Sequence, residues 1–154
     1  MSFDKFKKQD LTRPRDKAWD NWGKFEKEGD KVEGILRDVF YRPAEGQYPE
    51  KRGFTLEQED GKLINVDIKR SPYFAIAPTD NVRIGDFLSM ELSELKDMGK
   101  GKYAAKIYSF ETGVDPDATD RMAQMTVKEL EAIDMEAEGV EHKEEETPEE
   151  VPFN

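Results

Sequence analysis

The stretch GFTLEQEDGKLINVDIK, residues 53–69, decides how this chain is read. Asp60-Gly61 lies between two runs of alternating apolar residues, the strongest short-range signal for a β-hairpin. Beyond the turn, Ile64, Val66 and Ile68 fall on one face and Asn65 and Asp67 on the other, the period-two pattern of a strand. So tight a turn joins antiparallel neighbours, which argues against a parallel crossover here.

Working outward, GDKVEGILRDVFY (29–41) opens on a Gly-Asp turn and runs into β-branched and aromatic residues. It reads as a long strand, with a bulge expected at Gly34. Phe40 and Tyr41 would point to opposite faces, so one of them is expected to be exposed. RPAEGQYPEKR (42–52) holds two prolines and a glycine and reads as a loop. Downstream, SPYFAIAPTDN (71–81) starts Ser-Pro and stops at Pro78, fitting one or two helical turns. IGDFLSMELSEL (84–95) alternates with Leu88, Met90 and Leu92 inward; KDMGKGK (96–102) is a basic turn, and YAAKIYSF (103–110) closes the set. The order predicts an all-β domain, the five-stranded OB-fold Greek-key barrel with a short helix between strands three and four.

Around this domain (29–110) the chain carries three further segments. Residues 1–28 are an N-terminal extension in which Trp19, Trp22 and Phe25, three apart, would share one side of a short helix or turn. The tryptophans are expected to close one end of the barrel. Residues 111–140 read as a linker with a short helix, where Thr126 and Glu129 make a capping box and Val127, Leu130 and Ile133 fall on one side. Gly139 would end it. Residues 141–154, EHKEEETPEEVPFN, form an acidic tail, read as disordered. Charge divides along the same boundary: residues 1–110 carry 21 Lys+Arg against 20 Asp+Glu, and residues 111–154 carry 3 against 15, which together give the net −11. The acidity belongs to the C-terminal third.

Catalysis finds no footing. There is no cysteine, and the single histidine, His142, sits in the acidic tail, so no nucleophile–histidine pair or histidine-bound metal can be assembled. Asp60 and Asp67 read as a turn residue and an outward-facing strand residue, not as metal ligands. GKGK at 99–102 lies between strands and is not a phosphate loop. No catalytic residue, metal or cofactor is therefore expected. The N-terminus lacks an apolar signal core and no apolar run approaches the roughly 20 residues of a membrane span, so a cytoplasmic protein without membrane contact is expected.

Binding is better supplied. In an OB-fold the ligand lies across strands two and three, bordered by the loops joining strands 1–2 and 4–5. The first loop carries Arg42, Lys51 and Arg52 with Tyr48, and the second carries Lys96, Lys100 and Lys102. Lys106 shares a face with Tyr108 and Phe110. Cations there would hold phosphates while aromatic rings stack on unpaired bases, each worth about 1–3 kcal/mol whatever the base. Tyr48, Phe54 and Tyr108 are the candidate stackers, although Phe54 alternates in step with Leu56 and fits the core equally well.

The tip EEETPEEVPFN resembles the C-terminus of bacterial and phage single-stranded DNA-binding proteins, an acidic run followed by an aliphatic residue, proline and phenylalanine. Short phage variants are the nearer match in size. The resemblance implies an OB-fold, docking of replication and recombination proteins on Val151, Pro152 and Phe153, and competition between the acidic stretch and DNA. The tip departs from the family in placing Asn154 after the phenylalanine and in using glutamate instead of aspartate. Independently of family, six glutamates against one lysine over 141–150 make a tethered polyanion able to fold back on basic loops. The expectation is sequence-tolerant binding of single-stranded DNA in a bacterial cell or a phage's host. A protein-binding adaptor and an RNA-binding OB protein are the alternatives, and homo-oligomer formation is left open.

Overall fold

The turn at Asp60-Gly61 joins two paired strands in the structure, a computed structural model that describes residues 2–68, 81–99, 101 and 104–139. Strand β2 (Lys51–Glu57) and β3 (Leu63–Asp67) run antiparallel, with Phe54 opposite Val66 and Leu56 opposite Ile64. Gly61 takes the positive φ of 87° that such a turn requires. Strand β1 (Lys31–Arg42) is shared: its first half pairs with β4 (Phe87–Lys96) and its second with β2, while β5 (Ala105–Gly113) pairs with β4. The sheet order is β3-β2-β1-β4-β5 and every ladder is antiparallel. Although β1 and β4 separate β2 from β5, the rings of Phe54 and Phe110 meet edge-on at 6.5 Å. The sheet therefore curls onto itself as an all-β, barrel-like body, with Leu36, Phe54, Leu56, Val66, Leu88, Met90 and Leu92 fully buried inside.

The bulge in β1 lies at Arg37, between Leu36 and Asp38, and not at Gly34. Gly34 serves a different need where β1 passes from one partner to the other. A Cβ there would stand 2.3 Å from the Glu57 carbonyl oxygen, so only glycine fits. After the bulge Val39 belongs to the core cluster, whereas Asp38 and Phe40 meet the N-terminal segment. The expected exposure of one of Phe40 and Tyr41 is corrected: both are buried, because β1 is covered on its outer face as well.

That cover is the N-terminal segment. Arg13 binds Asp38, the short helix α1 (Pro14–Lys17) follows, and Asn65 donates from its side chain to the Arg15 carbonyl at 3.1 Å. Asn65 N–H then donates to Asn21 and Gly23 N–H to Asn65, so the segment adds to the outer edge of β3. Phe25 continues to β5, where its ring meets Tyr108 edge-on at 5.2 Å. Residues 13–25 are thus built into the barrel instead of extending from it. Trp19, Trp22 and Phe25 do not share a side, and the tryptophans pack on the outer face against Phe40 rather than closing an end.

The described residues beyond β5 also meet the barrel, through a helix packed on β1. Helix α2 (Val127–Ala137) starts at the capping box read from the sequence, with Glu129 N–H donating to Thr126 Oγ1 and Thr126 N–H to Glu129 Oε1. Its buried residues are Val127, Glu131, Asp134 and Met135, with Leu130 partly packed. Ile133, expected inward, is half exposed. The helix is rotated because arginines on the barrel draw two of its acids in: Arg52 binds Glu131, and Arg13 and Arg15 bind Asp134. The expected helix at 71–81 (save Asn81) and the acidic tail with Val151, Pro152 and Phe153 lie outside the described residues.

Candidate nucleic-acid interface

A ligand was expected to lie across β2 and β3. The centre of their outer face is closed. Asp38, Phe40, Thr55 and Asn65 are buried beneath the N-terminal segment, with Thr55 Oγ1 bonded to Asn65 Oδ1 at 2.6 Å. Gly53 is required in this layer, since a Cβ would lie 1.9 Å from the Val66 carbonyl oxygen and 2.6 Å from the Phe40 ring.

What stays accessible is a cleft of about 360 Å³ beside the β1–β2 loop, lined by Trp19, Tyr48, the cations Arg42 and Lys51 and the acids Glu45 and Glu138 among others. Its floor is rigid. Trp19 and Trp22 meet edge-on at 5.1 Å, and each meets Phe40 edge-on at 5.6 and 5.4 Å. Trp22 Nε1 donates to the Trp19 carbonyl, which fixes the second ring to the first. Two cations stand over these rings: the Arg42 guanidinium 4.7 Å from the Trp19 centroid, and Lys51 Nζ 4.8 Å from that of Trp22. Cation–π attraction holds each head group without neutralising it. Their carboxylate neighbours are loose, Asp16 at 3.6 Å from Arg42 and Asp67 at 3.9 Å from Lys51. Above them the loop doubles back, Glu45 and Tyr48 exchanging both backbone hydrogen bonds at 2.9 Å around Gly46, whose φ is 59°. This turn holds out Tyr48, which is 70% exposed. A planar ring beside two held cations suits an unpaired base attached to phosphates.

The other sequence candidates divide. Arg52 is committed to Glu131 through two hydrogen bonds of 2.5 and 2.9 Å, so its guanidinium does not face the cleft as a bare cation. Phe54 is fully buried in the core and cannot stack on a ligand; its alternation with Leu56 decided its place. Tyr108 is corrected too. It is buried against Phe25, and burial first, then the nearby charge of Asp67, pushes its phenol above the ordinary range. Lys96 and Lys106 are exposed at one end of the β4–β5 ladder, and Lys106 Nζ donates to the Phe25 carbonyl at 2.5 Å. Lys100 and Lys102 lie outside the described residues. Trp19 and Trp22 are the site residues that sequence reasoning misplaced. The run RPRDKAWDNW does interleave cations with aromatics, but its nearness to Arg42 and Lys51 depends on long-range pairing that no local pattern records.

A second cavity, of about 490 Å³, is lined by Arg37, Asp86, Asp115, Asp120 and Arg121. Arg121 already binds both oxygens of Asp86 at 2.8 Å, and the acids cancel the positive field an anion would need. Among the described residues no group of three or more His, Asp or Glu is placed to hold a metal, and no helix is long and apolar enough to cross a membrane. None of the family models, curated proteins or solved structures compared with the chain matches it. The functional reading therefore rests on side chains.

Proposed function

We propose that this protein is an OB-type barrel that binds single-stranded DNA without sequence preference, in replication, recombination or repair, and has no catalytic activity. The observation that carries the reading is the cleft in which exposed Tyr48 stands beside Arg42 and Lys51, both held over a tryptophan pair. Stacking is available to any base and phosphate attraction to any strand, so neither selects a sequence. The strand order, the shared first strand with its bulge, and the tight hairpin support an OB-type barrel. In this version the strand crosses beside the β1–β2 loop instead of along the middle of β2 and β3. The acidic tail competes for the same cations, and its Val151-Pro152-Phe153 tip contacts partner proteins, as the family resemblance implies.

Titration with single- and double-stranded oligonucleotides at two salt concentrations, read by tryptophan fluorescence, tests this directly, since Trp19 lines the cleft. A salt-dependent preference for single strands is expected, and Tyr48→Ala should weaken binding about tenfold, the size of one lost stacking contact. Equal affinity for both forms, or an unaffected Tyr48→Ala variant, would remove the proposal. Competition between DNA and RNA of one sequence separates replication from translation roles. An adaptor that binds protein instead is favoured by one feature, Ile133 half exposed beside Leu130 on α2, and would show no oligonucleotide response at all.

A further inference from the structure

The N-terminal arm ahead of Arg13 takes no part in the barrel, yet its composition is not that of an inert extension. Residues 2–8, SFDKFKK, carry three lysines against one aspartate, a local excess of positive charge on a chain of net −11. Phe3 is 63% exposed and Phe6 56%. Burial explains neither ring. A turn closed by Phe6 N–H donating to the Phe3 carbonyl at 3.1 Å sets the rings 6.1 Å apart, tilted at 42°. Lys5 Nζ lies 5.4 Å from the Phe6 centroid, so a cation and the rings are presented together. The arm is tied down next to the cleft. Asp10 pairs with Lys17 at 3.1 Å, and Asp16, the preceding residue of the same short helix, pairs with cleft residue Arg42. From Asp10 back to Phe3 the chain can reach up to about 25 Å, enough to follow a strand leaving the cleft.

We propose that residues 2–12 form a second contact for the same single strand, with Phe3 and Phe6 stacking on bases and Lys5, Lys7 and Lys8 meeting phosphates. This rests on the nucleic-acid reading of the cleft and extends its footprint. A polyanionic strand is the occupant that charge favours. The ligand must approach an acidic protein, and the arm offers cations with aromatic rings between them, the combination that single-strand grooves use.

The test compares the full chain with the variants F3A/F6A and K5A/K7A/K8A, using oligothymidylates of about 6 and about 30 nucleotides, a range that brackets a single OB site. For the long strand, F3A/F6A, which removes two stacking rings, should bind about a hundredfold more weakly, while the short strand, filling only the cleft, binds as before. K5A/K7A/K8A should flatten the log-affinity against log-salt slope for the long strand by about 2, at roughly 0.7 per single-strand phosphate contact. Unchanged long-strand affinity and slope in both variants, with wild type still binding, would overturn the arm and leave the cleft standing. Failure of wild type to bind either strand would overturn both. Anionic phospholipid vesicles supply the third arm: binding lost in the variants while oligonucleotide affinity holds would make the arm a membrane contact and overturn the proposal.

Discussion

Arg42 and Arg52 stand at opposite ends of the same loop, and their partners decide which can meet a ligand. Arg42 rests on a tryptophan face and keeps its charge accessible, whereas Arg52 is gripped at both nitrogens by a buried glutamate. Glu131→Gln keeps the shape of α2 but removes the carboxylate charge. Stability should fall by about 1–3 kcal/mol in urea denaturation, the usual cost of weakening a buried charged hydrogen bond. If the cleft binds DNA, oligonucleotide affinity should rise in the same variant because Arg52 is released; unchanged affinity would place Arg52 outside the interface. Asp86 offers a residue-scale test of electrostatics. Burial alone would raise its carboxyl, but Arg121, the Arg83 N–H and the charge of both arginines outweigh it and hold it below the ordinary 3.8. A lowered native value means the stabilisation is complete above the ordinary carboxylate range and is lost as pH falls below it. Wild type should melt above Asp86→Asn at about pH 6, with the gap narrowing towards about pH 3 in thermal scans. A gap independent of pH would show that the pair contributes only packing.

Elements whose partners are close in sequence were legible. The hairpin at Asp60-Gly61, the inward Leu88, Met90 and Leu92, and the capping box at Thr126 are local patterns, and each stands where the sequence puts it. Thr126→Ala should cost about 1 kcal/mol, a typical loss for an N-cap, measured by chemical denaturation. A change near zero would mean that packing of Val127 alone holds the start of the helix. Elements whose partners are distant were misread. The side of α2 that is buried is chosen by Arg13, Arg15 and Arg52, the first two more than a hundred positions upstream, and hydrophobic periodicity cannot see them. Three-residue spacing of Trp19, Trp22 and Phe25 suggested one helical side, but Phe40 claimed two of the rings and Tyr108 the third. The same limit hid the cleft, since Tyr48, Arg42 and Lys51 were named from the loop but the tryptophans beneath two of them were not.

At the scale of the molecule, charge is divided along the chain. The domain to residue 110 is nearly neutral, with cations gathered at a cleft and on an arm, and the remainder is strongly acidic. Part of that acidity is already engaged, through Glu131 and Asp134 on arginines of the barrel. Removing residues 141–154 should therefore tighten single-strand binding at low salt and change it little near 1 M salt, where the tether's attraction is screened within about 3 Å. Unchanged or weaker affinity at low salt would end the competing-tail idea. The pairing of Arg13 and Arg15 with Asp134 has another side. It fastens the segment at 13–15 to the last helix among the described residues, 121 positions away from Arg13. During synthesis the hairpin and the first four strands leave the ribosome before Asp134 is translated, when Arg13 already has Asp38 beside it and Arg15 does not yet have its carboxylate. Positions 13–15 and 134 thus lie side by side in the fold, a good starting point for a circular permutant cut elsewhere in the chain.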